Sequence, residues 1–206
     1  MRLLFRREFQ HSCDLGRRIL DVRPSHVLDV ACGTGDFAIA LSQAGVEKIT
    51  GVDISQGMLD VGIAKVKALG LNIEMHVDDC EQLSIEDDTF DAVSVAFGVR
   101  NFEHLQQGLN EMQRVLRPGG LVCIVELSVP SNALLRWAYK LYFLHILQFV
   151  GGLVSGNRNA YRYLPESIAA VPQGHDMLAI MRQAGFNDCK VKRLTFGTCS
   201  IYTGNA

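Results

Sequence analysis

Gly33-Thr34-Gly35 stands between an apolar run at 27–30 and a second one that begins at Phe37. Glycine loses more backbone entropy on ordering than any other residue, so a pair at such a junction marks a tight turn or close approach of a ligand. The residues before the pair read as a buried strand and those after it as the start of a helix. That order leaves free helix N–H groups facing the loop, a cradle for a nucleotide-type ligand. Asp53 closes the next apolar run, twenty residues past Gly33, where a carboxylate can accept from ribose hydroxyls. Asp79, within DDCEQL at 78–83, follows a third run and is placed to meet an adenine amino group; FGVRN at 97–101 follows a fourth. Taken singly, Asp53 is also explained as an acid leading a helix and Asp79 as a turn residue. Their joint placement at strand ends selects an adenosine-type cofactor.

The pattern Gly33-x-Gly35-x-x-Ala38 also satisfies the loose dinucleotide fingerprint. A diphosphate needs unobstructed helix N–H groups, and Asp36 sets a negative charge where the helix begins. An acidic helix start tolerates the ammonium and sulfonium of S-adenosylmethionine instead, so a methyl donor is favoured over NAD.

The elements that must position these residues follow from the hydrophobic pattern. We read a helix over 8–22, a strand over 27–31, a helix over 36–44, a strand ending at Asp53, and a helix from a Ser55 cap to about Leu69. NIEMHV and FDAVSVAF are the third and fourth strands; a helix over 103–116 is stopped by Pro118 and Gly119-Gly120, and LVCIVEL is the fifth strand. Strand and helix in alternation imply right-handed parallel crossovers. A helix at about 175–184 then leads into CKVKRLTFGTCSIYTG, two strands about a turn at Phe196-Gly197, antiparallel to each other. The expected fold is α/β: a doubly wound, seven-stranded, mostly parallel Rossmann-like sheet with one antiparallel strand near the C-terminus, the class I methyltransferase arrangement. The 206 residues, 48% of them hydrophobic with formal net charge −2, suit a single domain over 1–206. No basic stripe with interleaved aromatics points to nucleic acid. Cys13, Cys32, Cys80, Cys123, Cys189 and Cys199 lack C-x-x-C spacing and read as reduced thiols of a cytoplasmic protein. No metal site is expected. The opening MRLLFRREFQ lacks the apolar core and cleavage site of a signal peptide.

VLDVACGTGDF, GVDIS, DTFDAVSVAFGVRNF, RVLRPGGLVCIVELS and YRYLPESI closely resemble the ubiquinone/menaquinone biosynthesis C-methyltransferases, from about residue 24 to the C-terminus. The resemblance implies methyl transfer from S-adenosylmethionine, with S-adenosylhomocysteine as product, to a ring carbon of a polyprenylated benzoquinol or naphthoquinol, demethylmenaquinol being favoured. By position, Thr34, Asp53, Asp79 and Cys80 would contact the cofactor, and Asp29, Gly33, Gly35, Ile54 and Phe97 complete the expected cofactor site. Two departures stand out. MRLLFRREF lacks the Tyr-Asp-x-Met-Asn segment and the later Trp-Arg of such proteins, so their N-terminal lid segment is expected to be missing. Ala96 stands where they often carry a small polar residue.

C-methylation needs an electron-rich carbon, and a quinol supplies it by ionising. An unperturbed phenol titrates near ~10, so a neighbouring cation helps at neutral pH. Arg100 is our candidate catalytic residue. Its own pKa above about 12 excludes a base role and leaves stabilisation of a phenolate; pairing with a neighbouring acid is the structural alternative. Asn101, Tyr161, Arg162 and Tyr163 are candidate substrate contacts. The most apolar stretch, 133–154, is interrupted by Arg136, Lys140, His145 and Gln148, which disfavours a spanning helix. We read it, within a region at 131–165, as substrate cover and a surface for peripheral membrane contact at the membrane's inner face. A second copy or other quinone-pathway enzymes are the remaining candidate partners. The rival readings are an NAD-dependent oxidoreductase and a catalytically incomplete cofactor-fold subunit that holds quinone intermediates.

Overall fold

Strands whose consecutive residues are all apolar must be covered on both faces. The computed structural model, which describes residues 15–141 and 167–206, arranges them so. The elements are α1 (15–21), β1 (His26–Val30), α2 (Asp36–Gln43), β2 (Lys48–Asp53), α3 (Gln56–Leu69), β3 (Ile73–Val77) and β4 (Phe90–Ala96). There follow α4 (Leu105–Arg114), β5 (Leu116–Leu127), α5 (Ala133–Leu141), α6 (His175–Gln183), β6 (Asn187–Leu194) and β7 (Cys199–Asn205). The seven strands form one sheet in the order β3-β2-β1-β4-β5-β7-β6. β7 runs antiparallel to β5 and β6, and the remaining neighbours are parallel. The expected sheet, including its single reversed strand, is the observed one.

Successive strand residues point to opposite faces, and the two halves of the core divide accordingly. Leu28, Val30, Val93, Val95, Val122 and Ile124 pack on one face with Leu109 and Met112 of α4 and Met177 and Met181 of α6. Val27, Ile49, Ala92, Cys123, Val125 and Ile201 pack on the other with Leu15 and Ile19 of α1 and Phe37 and Leu41 of α2. Leu109 and Met112 are fully buried, and each such side chain contributes about 1.5–3 kcal/mol.

Several boundaries differ from the sequence reading. Of the helix expected over 8–22, residues 15–22 lie among the described residues, and 15–21 are helical. β1 stops at Val30 because Ala31 adopts φ 52°. Ser55 does occupy the N-cap of α3, but its hydroxyl makes no cap bond. The helix expected over 103–116 is shorter, because the His104 N–H and Nδ1 are taken by the Glu81 carboxylate ahead of it. Pro118 does not stop that helix. β5 has begun by Leu116, and the Pro118-Gly119-Gly120 stretch forms an irregularity in which the pairing jumps from Phe90–Leu116 to Ala92–Leu121. Gly119, at φ 80°, supplies the turn this requires. The strand order reverses between β1 and β4, and the crevice beyond their carboxyl ends is where open α/β sheets hold ligands.

Candidate active site

That crevice is a cleft of about 1060 Å³. Asp29, Gly33, Thr34, Asp53 and Ile54 line it from β1, β2 and the loops after them; Asp79 and Cys80 line it from beyond β3, and Phe97, Arg100 and Asn101 from beyond β4. Gly35 does not line the cleft. It sits behind it, N-capping α2 at φ 74°. Tyr161, Arg162 and Tyr163 lie outside the described residues.

The glycine loop is pinned from three sides. Asp53 accepts the Gly33 N–H at 2.8 Å and the Ser55 N–H at 2.9 Å, one on each carboxylate oxygen, which locks the carboxyl ends of β1 and β2 together. Each oxygen keeps a lone pair for a further donor. Lys65 of α3, which the sequence did not single out, donates to the Thr34 carbonyl at 3.3 Å, the Thr34 hydroxyl at 3.0 Å and Asp36 at 2.7 Å. Asp36 therefore carries a counter-ion, so its charge no longer argues against a diphosphate. The cleft as a whole does: Asp29, Asp36, Asp53, Asp78, Asp79, Glu81 and Glu103 line it, against the single guanidinium of Arg100. Such a field favours a cationic ligand. Ile54, 75% exposed beside Asp53, offers an apolar face to a flat ring.

Gly33 has φ 57°, and a Cβ added there would meet the Met58 Cε at 2.9 Å. A side chain at this position is thus directed at α3, in a backbone region closed to β-branched residues. Gly33→Val is expected to destabilise the protein by roughly 1–3 kcal/mol and to weaken cofactor binding through the displaced loop, read by thermal melting and equilibrium titration. Asp53→Ala removes the acceptor of two loop N–H groups and of any ribose hydroxyl. Its expected effect is a 10- to 100-fold weaker cofactor dissociation constant, from losing roughly 1.5–3 kcal/mol of charge-assisted hydrogen bonding; calorimetry with S-adenosylhomocysteine checks it.

Asp79 accepts the Glu81 N–H at 2.9 Å on Oδ1, and Asp78 accepts the Ser84 N–H at 3.0 Å. Asp79 is thus a turn residue that also presents its exposed carboxylate to the cleft. Cys80 is not a nucleophile: burial, aided by Asp79 and Glu81, pushes its thiol up to about 12. Burial likewise raises the Cys32 thiol, with Asp29 and Asp53 adding to the effect.

Asp29 is 1% exposed. Its Oδ1 accepts the Ser94 hydroxyl at 2.8 Å, while Oδ2 is buried without a hydrogen-bond partner. Burial pushes its carboxyl up to about 7, against the Ser94 hydroxyl and the approaching Ala38 N–H, and with the Asp53 charge reinforcing it. A buried, unpartnered carboxylate oxygen on a cleft wall calls for a donor from a ligand.

Arg100 sits on a 3₁₀ turn after β4 (Val99–Asn101). Its Nη1 donates to Glu126 Oε1 at 2.8 Å and to the Phe97 carbonyl, and its backbone N–H donates to Glu126 Oε2 at 3.1 Å. The structural alternative, pairing with an acid, is therefore realised. It occupies one nitrogen of the fork, and Nε and Nη2 make no hydrogen bond among the described residues. Glu126, 2% exposed at the end of β5, escaped the sequence reading; the signal was an acid closing the otherwise apolar LVCIVEL. Phe97, at φ 59°, is held by its N–H on the Val125 carbonyl at 2.8 Å.

The chain is 45% identical over 184 residues to a demethylmenaquinone methyltransferase of Bacteroides fragilis, covering 88% of this chain and 75% of that protein. It is 43% identical over 182 residues to the ubiquinone/menaquinone biosynthesis C-methyltransferase UbiE of Geobacter sulfurreducens, covering 86% and 71%. Among solved structures, a SAM-dependent methyltransferase from Aquifex aeolicus superposes with a TM-score of 0.64 at 21% identity, over 88% of this chain and 81% of that one; at that identity the likeness speaks for the fold. Residues 5–206 match the profile described as the ubiE/COQ5 methyltransferase family, and the chain, with its glycine loop and acidic cleft at the sheet's switch point, belongs to that family of methyltransferases.

Proposed function

We propose that the protein methylates a ring carbon of a polyprenylated quinol, demethylmenaquinol being favoured, with S-adenosylmethionine as donor. The observation that carries this reading is the Asp29 carboxylate, one oxygen of which is buried without a partner, in a cleft of seven acids and one guanidinium. That charge balance repels a diphosphate and suits a cofactor bearing an ammonium and a sulfonium.

Asp29 would hold the ammonium, Asp53 the ribose hydroxyls, and Asp79 with Ile54 the adenine. When bound, this cofactor supplies an electrophilic methyl group and leaves as S-adenosylhomocysteine. Arg100 then faces the reacting quinol oxygen, where its unengaged nitrogens stabilise the phenolate that makes the ring carbon nucleophilic. Holding methyl and carbon in contact supplies most of the acceleration, about 7–11 kcal/mol in favourable cases. A polyprenyl chain gains about 0.8 kcal/mol per buried CH₂, so the acceptor has to be met at an apolar surface or a bilayer.

The test is turnover: labelled S-adenosylmethionine with short-chain demethylnaphthoquinol and demethylbenzoquinol, separately, alongside equilibrium titration with S-adenosylhomocysteine and NAD. Methylation of the naphthoquinol and binding of S-adenosylhomocysteine but not NAD are expected. NAD binding without S-adenosylhomocysteine binding would overturn the proposal, and so would cofactor binding without turnover on either quinol.

A further inference from the structure

The loop after β3, which carries Asp79 and Cys80, and the turn after β4, which carries Arg100 and Asn101, both line the cleft. Glu81 ties one to the other. Its Oε1 accepts the His104 N–H at 2.7 Å, its Oε2 accepts the His104 Nδ1–H at 2.9 Å, and Gln107 Nε2 donates to the Glu81 carbonyl at 2.9 Å. A carboxylate only accepts, so His104 carries a proton on Nδ1. The Glu81 side chain is 12% exposed against 65% for that of His104; the carboxylate is the sheltered partner.

The same bridge completes α4. The first N–H groups of a helix have no partner within it, and His104, at the N-cap, makes no side-chain cap bond of its own. Glu81 supplies the missing acceptor from another element. Burial would raise its carboxyl, but the His104 N–H, the His104 ring and the approaching Glu103 N–H hold it below the usual carboxylate range. It is therefore an anion at neutral pH, the charge a helix N-terminus favours. Gly108 sits one turn into α4, where glycine is unfavourable. A Cβ there would meet the Phe102 ring at 2.7 Å and the Cys80 carbonyl oxygen at 3.7 Å. The bare backbone lets the turn after β4 and the loop after β3 close on the same point of α4.

Further along α4, other groups hold the chain that leaves this loop. The Leu83 N–H donates to Glu111, and Arg114 donates to the Leu83 and Ile85 carbonyls. Neither Glu111 nor Arg114 lines the cleft, and residues 79–82 are left to Glu81. We infer that Glu81 is a positioning residue for methyl transfer, fixing the loop that receives the cofactor's adenine relative to the turn that carries Arg100. The inference rests on the roles proposed above for Asp79 and Arg100. With the bridge cut, the cofactor keeps Asp29 and Asp53 and Arg100 keeps Glu126, so both reactants stay bound and their alignment is lost.

Glu81→Ala is expected to lower kcat about 10- to 100-fold, the scale of a misplacement near ~1 Å, while the dissociation constant of S-adenosylhomocysteine rises no more than about fivefold. Glu81→Gln keeps the reach and an acceptor for the His104 N–H, and its kcat should stay within about fivefold of wild type. His104→Ala should lower kcat in the wild-type background and do nothing further in Glu81→Ala, the non-additivity of a contacting pair. Glu111→Ala is the structural control, melting lower with kcat retained. Hydrogen exchange tests the bridge without a quinol: S-adenosylhomocysteine should slow exchange at 79–82 and 104–108 in wild type, and at 79–82 alone in Glu81→Ala. That exchange pattern in a protein that methylates neither quinol supports the bridge and overturns the proposed function instead. The inference is overturned if Glu81→Ala retains kcat below its melting range, if Glu111→Ala loses as much, or if both segments stay protected without Glu81.

Discussion

Arg100→Ala is expected to lower kcat about 10²–10³-fold, the usual consequence of removing one preorganised donor from a developing oxyanion, with cofactor affinity nearly unchanged. The pH dependence separates this from lost packing. With Arg100 present, the phenolate is favoured at neutral pH; without it the quinol ionises only towards ~10, so the variant should regain close to tenfold per pH unit between 7 and 9. Arg100→Lys keeps the charge but not the planar fork, one nitrogen of which bonds both Glu126 and the Phe97 carbonyl, and should fall between the two. On the proposed mechanism Glu126, which holds the Arg100 side chain and backbone N–H, is a positioning residue. Glu126→Gln should cost about tenfold in kcat and lower the melting temperature, since a guanidinium only 18% exposed loses its counter-charge. Equal losses in Arg100→Ala and Arg100→Lys with flat pH profiles would reduce the pair to a structural clamp joining β4 to β5.

The site was legible where chemistry and strand ends coincide in sequence. Gly33, Asp53, Asp79 and Arg100 each follow a short apolar run, and parallel topology forces such positions to one edge of the sheet. Lys65 and Glu126 were not legible, for different reasons. Lys65 lies one turn short of the end of a surface helix, where a lysine is ordinary, and its reach to Thr34 depends on how closely α3 approaches the loop. That approach is set by Gly62, where a Cβ would meet the Thr34 carbonyl carbon at 3.1 Å. Glu126 pairs with Arg100 only because β5 lies beside β4, a register that one chain of letters does not display. The Pro118-Gly119-Gly120 stretch misled by resembling a helix stop; a bulge at the start of a strand asks for the same residues.

Asp29→Asn is expected to move stability and cofactor affinity in opposite directions. In the ligand-free protein the Asp29 carboxyl titrates at about 7, against 3.8 for an unperturbed aspartate. The folded state therefore holds the proton more tightly than the unfolded chain, and the stability this confers is complete below pH 3.8 and lost as pH rises through about 7. At pH 8 the native protein carries a buried carboxylate without a partner for one oxygen, and an amide in its place removes that penalty. The variant should melt several degrees higher at pH 8 and gain little at pH 5. Cofactor binding answers the other way. An ammonium seated on Asp29 needs the ionised form, so the wild-type dissociation constant should worsen about tenfold for each pH unit below 7 and again above ~8, where an α-amino group deprotonates. Asparagine should weaken binding about 100-fold at pH 7.5, the order expected for stripping one member from a buried ion pair, and erase the acid limb while leaving the alkaline one. Calorimetric titration from pH 5.5 to 9 with melting curves at the same points tests both halves. A variant that binds as tightly as wild type would remove Asp29 from the cofactor site, and an acid limb retained in the variant would assign that limb to another of the cleft's carboxylates.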